Sequence, residues 1–344
     1  MTQISVAVLG ATGYTGAELI RLIDAHPNMR IAHLGAHSQA GKLVSDVLPG
    51  ICGDVSALTL AAADTPLPAD VDLVFTALPH GAAAESVKKA LDAGSRVIDL
   101  SADFRHQDAD TYKAAYGVDH PYPELFEQAV FGLSEWARDI IAGSRLIANP
   151  GCYPTCVLLP LLPLLRAGAI NTDTIIVDAK SGASGAGRSP KTDLLFCDVN
   201  GGARAYGLPR HRHAWEMEEW VAAYTGNEVH IDFVPHLLPM TRGMLSTLHL
   251  RGNSPESWHD QLTEAYADES FVRVLPRGQL PSTKGVCGSN RCDIGVAVTG
   301  PASGVVISCI DNLLKGASGQ AMQNANIMLG LDEGLALSAQ ALWP

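Results

Sequence analysis

The sequence predicts an α/β chain: a parallel, doubly wound sheet at the N-terminus, then a second domain of α+β type with a mixed sheet. Three observations predict it. Short β-rich runs alternate with helical runs between Ile4 and Leu100. A glycine turn, Gly10-Ala11-Thr12-Gly13-Tyr14-Thr15-Gly16, directly follows the first of those runs. After Cys152 the alternation weakens, and Gly, Pro and Ser fill the joins between further β-rich runs.

The elements follow in order. Ile4 to Leu9 is the first strand, and Ala17 to Ala25 a helix whose apolar set is Leu19, Ile20, Leu22 and Ile23. Ile31 to Ala36, Val71 to Ala77 and Arg96 to Leu100 are further buried strands. Gly81 to Ala93 is an Ala-rich helix stopped by Gly94. An apolar run from Val157 to Leu165 is helical. Ile175 to Ala179, Glu228 to Pro235, Leu245 to Arg251, Asp293 to Thr299 and Val305 to Ile310 are the strands of the second domain. The stretch Gly316 to Leu329 is helical and could return to the first domain.

Composition narrows the function. The 344 residues are 47% hydrophobic and 17% charged, enough for two separate cores and too apolar for disorder. The formal charge of −12 disfavours a nucleic-acid partner, which needs a basic footprint. No apolar run has the length of a membrane span and no basic leader precedes the first strand, so a cytoplasmic protein is expected. Seven scattered cysteines suit a reducing compartment better than a disulfide framework.

Gly10-x-x-Gly13-x-x-Gly16, between strand and helix, is a Rossmann-like dinucleotide fingerprint with its first spacing widened by one residue. The pyrophosphate would rest on the helix starting near Tyr14. The second strand runs into Gly35-Ala36-His37-Ser38-Gln39-Ala40-Gly41-Lys42, which lacks the acid that reads a free ribose 2′-hydroxyl. Ser38 and Lys42 could receive a 2′-phosphate, so NADP is the expected cofactor. Asn149-Pro150-Gly151-Cys152-Tyr153-Pro154-Thr155 sets a cysteine in a turn at a helix N-terminus, where the dipole and open N–H groups favour a nucleophilic thiolate. The alternative is a buried small hydrophobe. Cys156, one helical turn on and flanked by apolar residues, is expected to be structural. In His211-Arg212-His213 the two imidazoles share a side if the segment is a strand and diverge if it is a helix. One of them, with a pKa near the working pH, could be a general acid/base. No set of ligands with metal spacing accompanies them. Lys180 to Arg188 is a glycine-rich loop that either wraps phosphate through its amides or is a plain connector.

With these residues in view, the chain resembles the N-acetyl-gamma-glutamyl-phosphate reductases, NADP-dependent enzymes of arginine biosynthesis. The matching motifs are G-A-T-G-Y-T-G-A-E-L at Gly10 to Leu19, D-L-S-A-D-F-R at Asp99 to Arg105 and P-G-C-Y-P-T at Pro150 to Thr155. S-G-A-S-G-A-G-R at Ser181 to Arg188, H-R-H at His211 to His213 and D-N-L-L-K-G-A at Asp311 to Ala317 complete them. The first and last of these also occur in the related aspartate-semialdehyde dehydrogenases. Where the family often reads H-R-H-x-P-E-I, this chain has Ala214-Trp215-Glu216-Met217 after His213: the Pro is lost and the Glu kept.

The resemblance implies domains at 1–150, completed by a C-terminal helix at 314–344, and at 151–313. It implies a Cys152 nucleophile and an acid/base in the pair His211 and His213, with His211 preferred. It assigns cofactor contacts to Gly10, Thr12, Gly13, Tyr14, Thr15, Gly16, Ser38, Lys42, Ser181, Gly182 and Asn312. Substrate contacts fall to Arg105, Ser184, Arg188 and Glu216. The expected reaction reduces an acyl phosphate to a semialdehyde through a Cys152 thioester, in a homo-oligomer whose partner is a small molecule.

Overall fold

In the computed structural model, which describes residues 3–343, seven strands build the first sheet. They are β1 (Ile4–Leu9), β2 (Met29–Ala36), β3 (Ala61–Ala62), β4 (Leu73–Thr76), β5 (Arg96–Asp99), β6 (Ala129–Phe131) and β7 (Leu146–Ala148). Their order is β3-β2-β1-β4-β5-β7-β6, and every neighbouring pair is parallel. β1 and β4 are apolar runs because a parallel sheet is covered on both faces. Val6, Val8, Leu73, Val74 and Phe75 are fully buried. The sheet is wound outward in both directions from β1, so the turn after β1 lies at the point where the strand order reverses, the usual ligand crevice of such sheets.

A second sheet follows, built from β8 (Ile175–Ser181), β9 (Arg204–Ala205), β10 (Ile231–Leu237), β11 (Met244–Arg251), β12 (Val272–Val274), β13 (Cys292–Gly300) and β14 (Ser303–Ile310). The order is β12-β13-β14-β11-β8-β10-β9. It is mixed: β8 with β10 and β12 with β13 are parallel, the other pairs antiparallel. Burial alternates along β8, β10 and β11, as a sheet with one covered face requires.

Helix Cys152–Arg166 is the spine of this second unit. Every residue from Tyr153 to Leu165 is buried, so the helix is apolar all round rather than striped. Two of its three prolines are accommodated individually. Pro154 lies in the first turn, where no intrahelical N–H bond is lost. Pro163 cannot donate to Leu159 O, and the Tyr266 hydroxyl donates to that carbonyl instead.

The chain divides into two units, one running to Pro150 and including Ala317–Leu337, the other Gly151–Gly316 with the segment from Ser338. The C-terminal helix is Gly319–Met328, shorter than 314–344, and a π-helical turn at Leu314–Ser318 precedes it. The chain then rejoins the second unit because loop 287–290 takes up its backbone: Asn290 N–H donates to Ser338 O and Leu342 N–H to Cys287 O. Inside the first unit the helix is held by buried amides. Asn324 Nδ2 donates to Gly132 O (2.8 Å) and to Asn149 Oδ1 (3.1 Å), and Asn149 Nδ2 to Ala317 O (3.2 Å). No helix among the described residues is long and apolar enough to cross a membrane.

Candidate active site

Cys152 is the first residue of its helix. Gly151 is the N-cap in extended backbone (φ −64°, ψ 154°), and no side chain caps the amides. Glycine at the cap leaves the helix N-terminus open toward whatever the thiol binds. Gly316 backs the thiol: a Cβ there would sit 2.8 Å from Cys152 Cβ and 3.2 Å from Ile310 Cδ1. Gly316 can approach so closely because the wide π turn carries it there, its N–H bonded to Asp311 O at 3.0 Å. Cys152 is half-buried, whereas Cys156, Cys292 and Cys309 are buried. Burial pushes all three of those thiols up. Cys156 donates to Ser308 O at 3.4 Å, as a structural thiol does.

His211 and His213 converge, although the segment is a helix start and not a strand. The helix runs Arg212–Thr225 without needing a proline, because His211 is its N-cap: His213 N–H donates to His211 Nδ1 at 3.2 Å. That bond folds the cap ring back over the first turn, and the two ring centroids lie 4.8 Å apart. Tyr153 lies edge-on to both, 5.9 Å from each. Its hydroxyl meets that of Tyr206 at 2.9 Å, and Tyr206 lies 5.7 Å from His211. Burial raises the Tyr206 phenol to about 12, and the Cys152 charge adds to the shift. Nothing in the sequence singled out Tyr206.

The capping bond also fixes the tautomer. A backbone N–H only donates, so His211 Nδ1 is unprotonated and the proton of the neutral ring is on Nε2. Burial, then the Arg212 charge, lower His211 to about 4. This corrects the expectation of a pKa near the working pH: at neutral pH His211 is a neutral Nε2–H donor.

The glycine-rich loop differs from the phosphate-wrapping form. The N–H groups of Gly182, Ala183 and Ser184 donate to Gly243 O, Met240 O and Thr241 O, and those of Gly185 and Gly187 bond within the loop. These amides are used within the protein, so they do not wrap a phosphate. Ser184 Oγ accepts from Asn312 Nδ2 at 2.9 Å, and Asn312 Oδ1 accepts Gly243 N–H at 2.8 Å. Ser181 is buried with Oγ directed to Gly182 O. Ser181, Gly182 and Asn312, expected as cofactor contacts, thus brace one another's loops within the second unit. Glu216, expected to touch substrate, is 1% exposed and accepts Gly151 N–H at 2.8 Å. Arg105 is buried in the first unit and donates to Leu100 O at 2.8 Å.

The first unit presents the glycine turn as expected of a dinucleotide site. Gly10 has φ +86°, and a Cβ there would lie 2.3 Å from Ala77 O. A Cβ on Gly16 would lie 2.3 Å from Gly10 O. Gly13 is the N-cap of Tyr14–Asp24, with no side chain on the helix amides. Thr12 and Thr15 stand half-buried and Tyr14 exposed around that end. The amides there fit a pyrophosphate. β2 ends at Ala36, and Ser38 and Lys42 are exposed just beyond it.

Residues 5–144 match the semialdehyde dehydrogenase NAD binding domain, and residues 152–312 the semialdehyde dehydrogenase dimerisation domain. In fold, the chain is similar to aspartate semialdehyde dehydrogenase II of Vibrio cholerae, with a TM-score of 0.75 at 17% identity over 96% of this chain and 99% of that one. The Candida albicans aspartate semialdehyde dehydrogenase, solved with NADP, gives a TM-score of 0.71 at 18% identity over 95% and 99%. In sequence, the N-acetyl-gamma-glutamyl-phosphate reductase of Halorhodospira halophila is 47% identical over 99% of this chain and 100% of its own length. That of Geobacter sulfurreducens is 48% identical over 99% and 100%. The chain belongs to the N-acetyl-gamma-glutamyl-phosphate reductase family.

Proposed function

We propose that this protein reduces N-acetyl-L-glutamyl 5-phosphate to N-acetyl-L-glutamate 5-semialdehyde with NADPH, as a cytoplasmic homo-oligomer. The observation that carries the chemistry is the half-buried Cys152 at an uncapped helix N-terminus, with Tyr206 beside His211, His211 paired with His213, and Glu216 of the same helix bonded to Gly151. Cys152 Sγ attacks the acyl carbon, the C–O bond to phosphate breaks, and the helix N-terminus favours the attacking thiolate. Phosphate leaves as hydrogen phosphate and so takes up one proton, which solvent supplies; neutral His211 keeps its Nε2 proton throughout and acts only as a hydrogen-bond donor. The cofactor, when bound by the glycine turn, supplies a hydride. His211 Nε2–H then stabilises the oxygen of the Cys152 thiohemiacetal, whose collapse releases aldehyde and restores the thiolate. Ser184 and Arg188 are the loop side chains we assign to the anionic substrate.

The reverse reaction tests the reading. NADP should be reduced with N-acetylglutamate semialdehyde only when inorganic phosphate is present. Reduction independent of phosphate would mean a hydrolytic aldehyde oxidation and refute it. Preference for aspartate semialdehyde would keep the mechanism and change the substrate.

Two further results are expected. NADPH should be used in preference to NADH, and Lys42→Ala should weaken NADPH by about 1.5–3 kcal/mol, one charge-assisted contact, with little effect on NADH. Equal kcat/KM for the two cofactors would refute this. Gly316→Ala should lower kcat by about 10²-fold, because the added methyl displaces the thiol while leaving the dinucleotide site intact. NADPH titration by fluorescence and steady-state rates check both halves.

A further inference from the structure

One helix brings three side chains to the nucleophile's helix. His211 caps it, His213 lies in its first turn, and Glu216 follows three residues later on the same face. Glu216 is 1% exposed, and Oε1 accepts Gly151 N–H at 2.8 Å. Gly151 is the cap of the Cys152 helix and has no side chain of its own to anchor it. Its carbonyl is held by Thr155 N–H, within its own helix. The bond from Glu216 is therefore what ties the residue before the thiol to the helix of the histidines. Gly316 packs against Cys152 Cβ.

We propose that Glu216 is a positioning residue of the reaction: by accepting Gly151 N–H it sets Cys152 Sγ against the His211–His213 pair, acting as an acceptor and neither as acid or base nor as a substrate contact. This rests on the roles given above to Cys152 and the histidines. It assigns a function to a buried carboxylate that the chemistry otherwise leaves idle. The spacing explains why a glutamate suits the place. Glu216 lies one turn beyond His213, so its side chain must reach back to a neighbouring helix, and the longer carboxylate side chain spans that gap.

The test compares Glu216→Gln and Glu216→Ala in the full-length enzyme, reading kcat, KM, NADPH affinity and Tm. Glutamine retains an oxygen that accepts Gly151 N–H, so kcat should stay within about tenfold of the parent. Alanine should lower kcat by about 10²-fold, the usual consequence of a displaced reacting group, with KM and NADPH affinity within about threefold. Glutamine as slow as alanine would show that the charge or the proton is required and would overturn the proposal. A KM rise in both variants with kcat preserved would make Glu216 a substrate contact and overturn it equally. Parent-like alanine kinetics would show that the bond positions nothing. If the alanine variant fails to fold, Glu216→Gln decides alone: a folded variant that binds NADPH yet loses more than about tenfold in kcat refutes an acceptor role. Failure of the function itself is a separate result, since it would appear as absent phosphate-dependent turnover in the parent.

Discussion

Cys152→Ser is expected to abolish turnover, by more than about 10³-fold, while leaving the fold and NADPH binding intact. A serine oxygen at the same place would form an ester, a poorer hydride acceptor than a thioester and a worse leaving group on collapse. The structure sharpens the expectation by separating Cys152 from the other cysteines. Cys156, Cys292 and Cys309 are buried thiols. Burial pushes these and the half-buried Cys287 up, away from the thiolate. Cys52 and Cys197 are exposed but belong to no helix N-terminus that could favour an anion: Cys52 is in coil, and Cys197 is the second residue of a four-residue helix. Accessibility alone would make Cys52 and Cys197 the fastest to alkylate. The helix N-terminus predicts Cys152 instead, with substrate slowing it. Trapping the acyl-enzyme from acyl phosphate without NADPH, then locating it by peptide mass, decides the matter. Acyl label on Cys156, or full activity in Cys152→Ser, would overturn the mechanism itself.

The legible parts of the fold were those where local sequence and tertiary demand agree. The glycine turn is an instance: Gly10 and Gly16 face backbone atoms 2.3 Å from any added Cβ, so only glycine fits and the motif is visible in the residues themselves. Strands β1 and β4 were visible for the same reason, since burial on both faces leaves an uninterrupted apolar run. The short strands β3, β6 and β9 were not, because two or three residues carry no period. The helix Ala109–Tyr116 was missed although Asp108 caps it and Gly117 ends it in the left-handed conformation. Its apolar pattern is too weak to stand out beside those signals.

At the site, residue types were legible and their partners were not. Cys152 and the two histidines could be singled out as chemistry-bearing groups. The amides of Gly182, Ala183 and Ser184 could not be known to be spent on the 240–243 loop, nor Glu216 to be spent on Gly151. Such pairings join residues far apart in sequence, and no local pattern encodes them. The same holds for His211, whose protonation follows from its place as a buried N-cap and not from its being a histidine.

Replacing His211 should therefore act on kcat and not on substrate binding. His211→Asn should lower kcat by about 10²–10³-fold with KM nearly unchanged, as expected for loss of a donor whose bond strengthens as charge develops on the acyl oxygen. The argument is one of protonation state. A histidine poised near 6.5 would be partly cationic at neutral pH and would compete with the thiolate for protons. His211, lowered to about 4 by burial and by Arg212, stays neutral and keeps its Nε2 proton because His213 N–H occupies Nδ1. Two consequences can be measured. Ring nitrogen shifts should show a neutral Nε2–H tautomer down to about pH 5. No acid limb near 6.5 should come from this residue; the limb belonging to His211 should lie near 4. For stability the sign is the same. The unfolded ring binds its proton near 6.5 and the folded ring only near 4, so folding weakens as pH falls through that window. Mutating Arg212 to Gln removes the second cause of the shift and should move the titration upward. A His211 midpoint near 6.5 in the parent, or a larger kcat loss in His213→Asn than in His211→Asn, would transfer the role to His213.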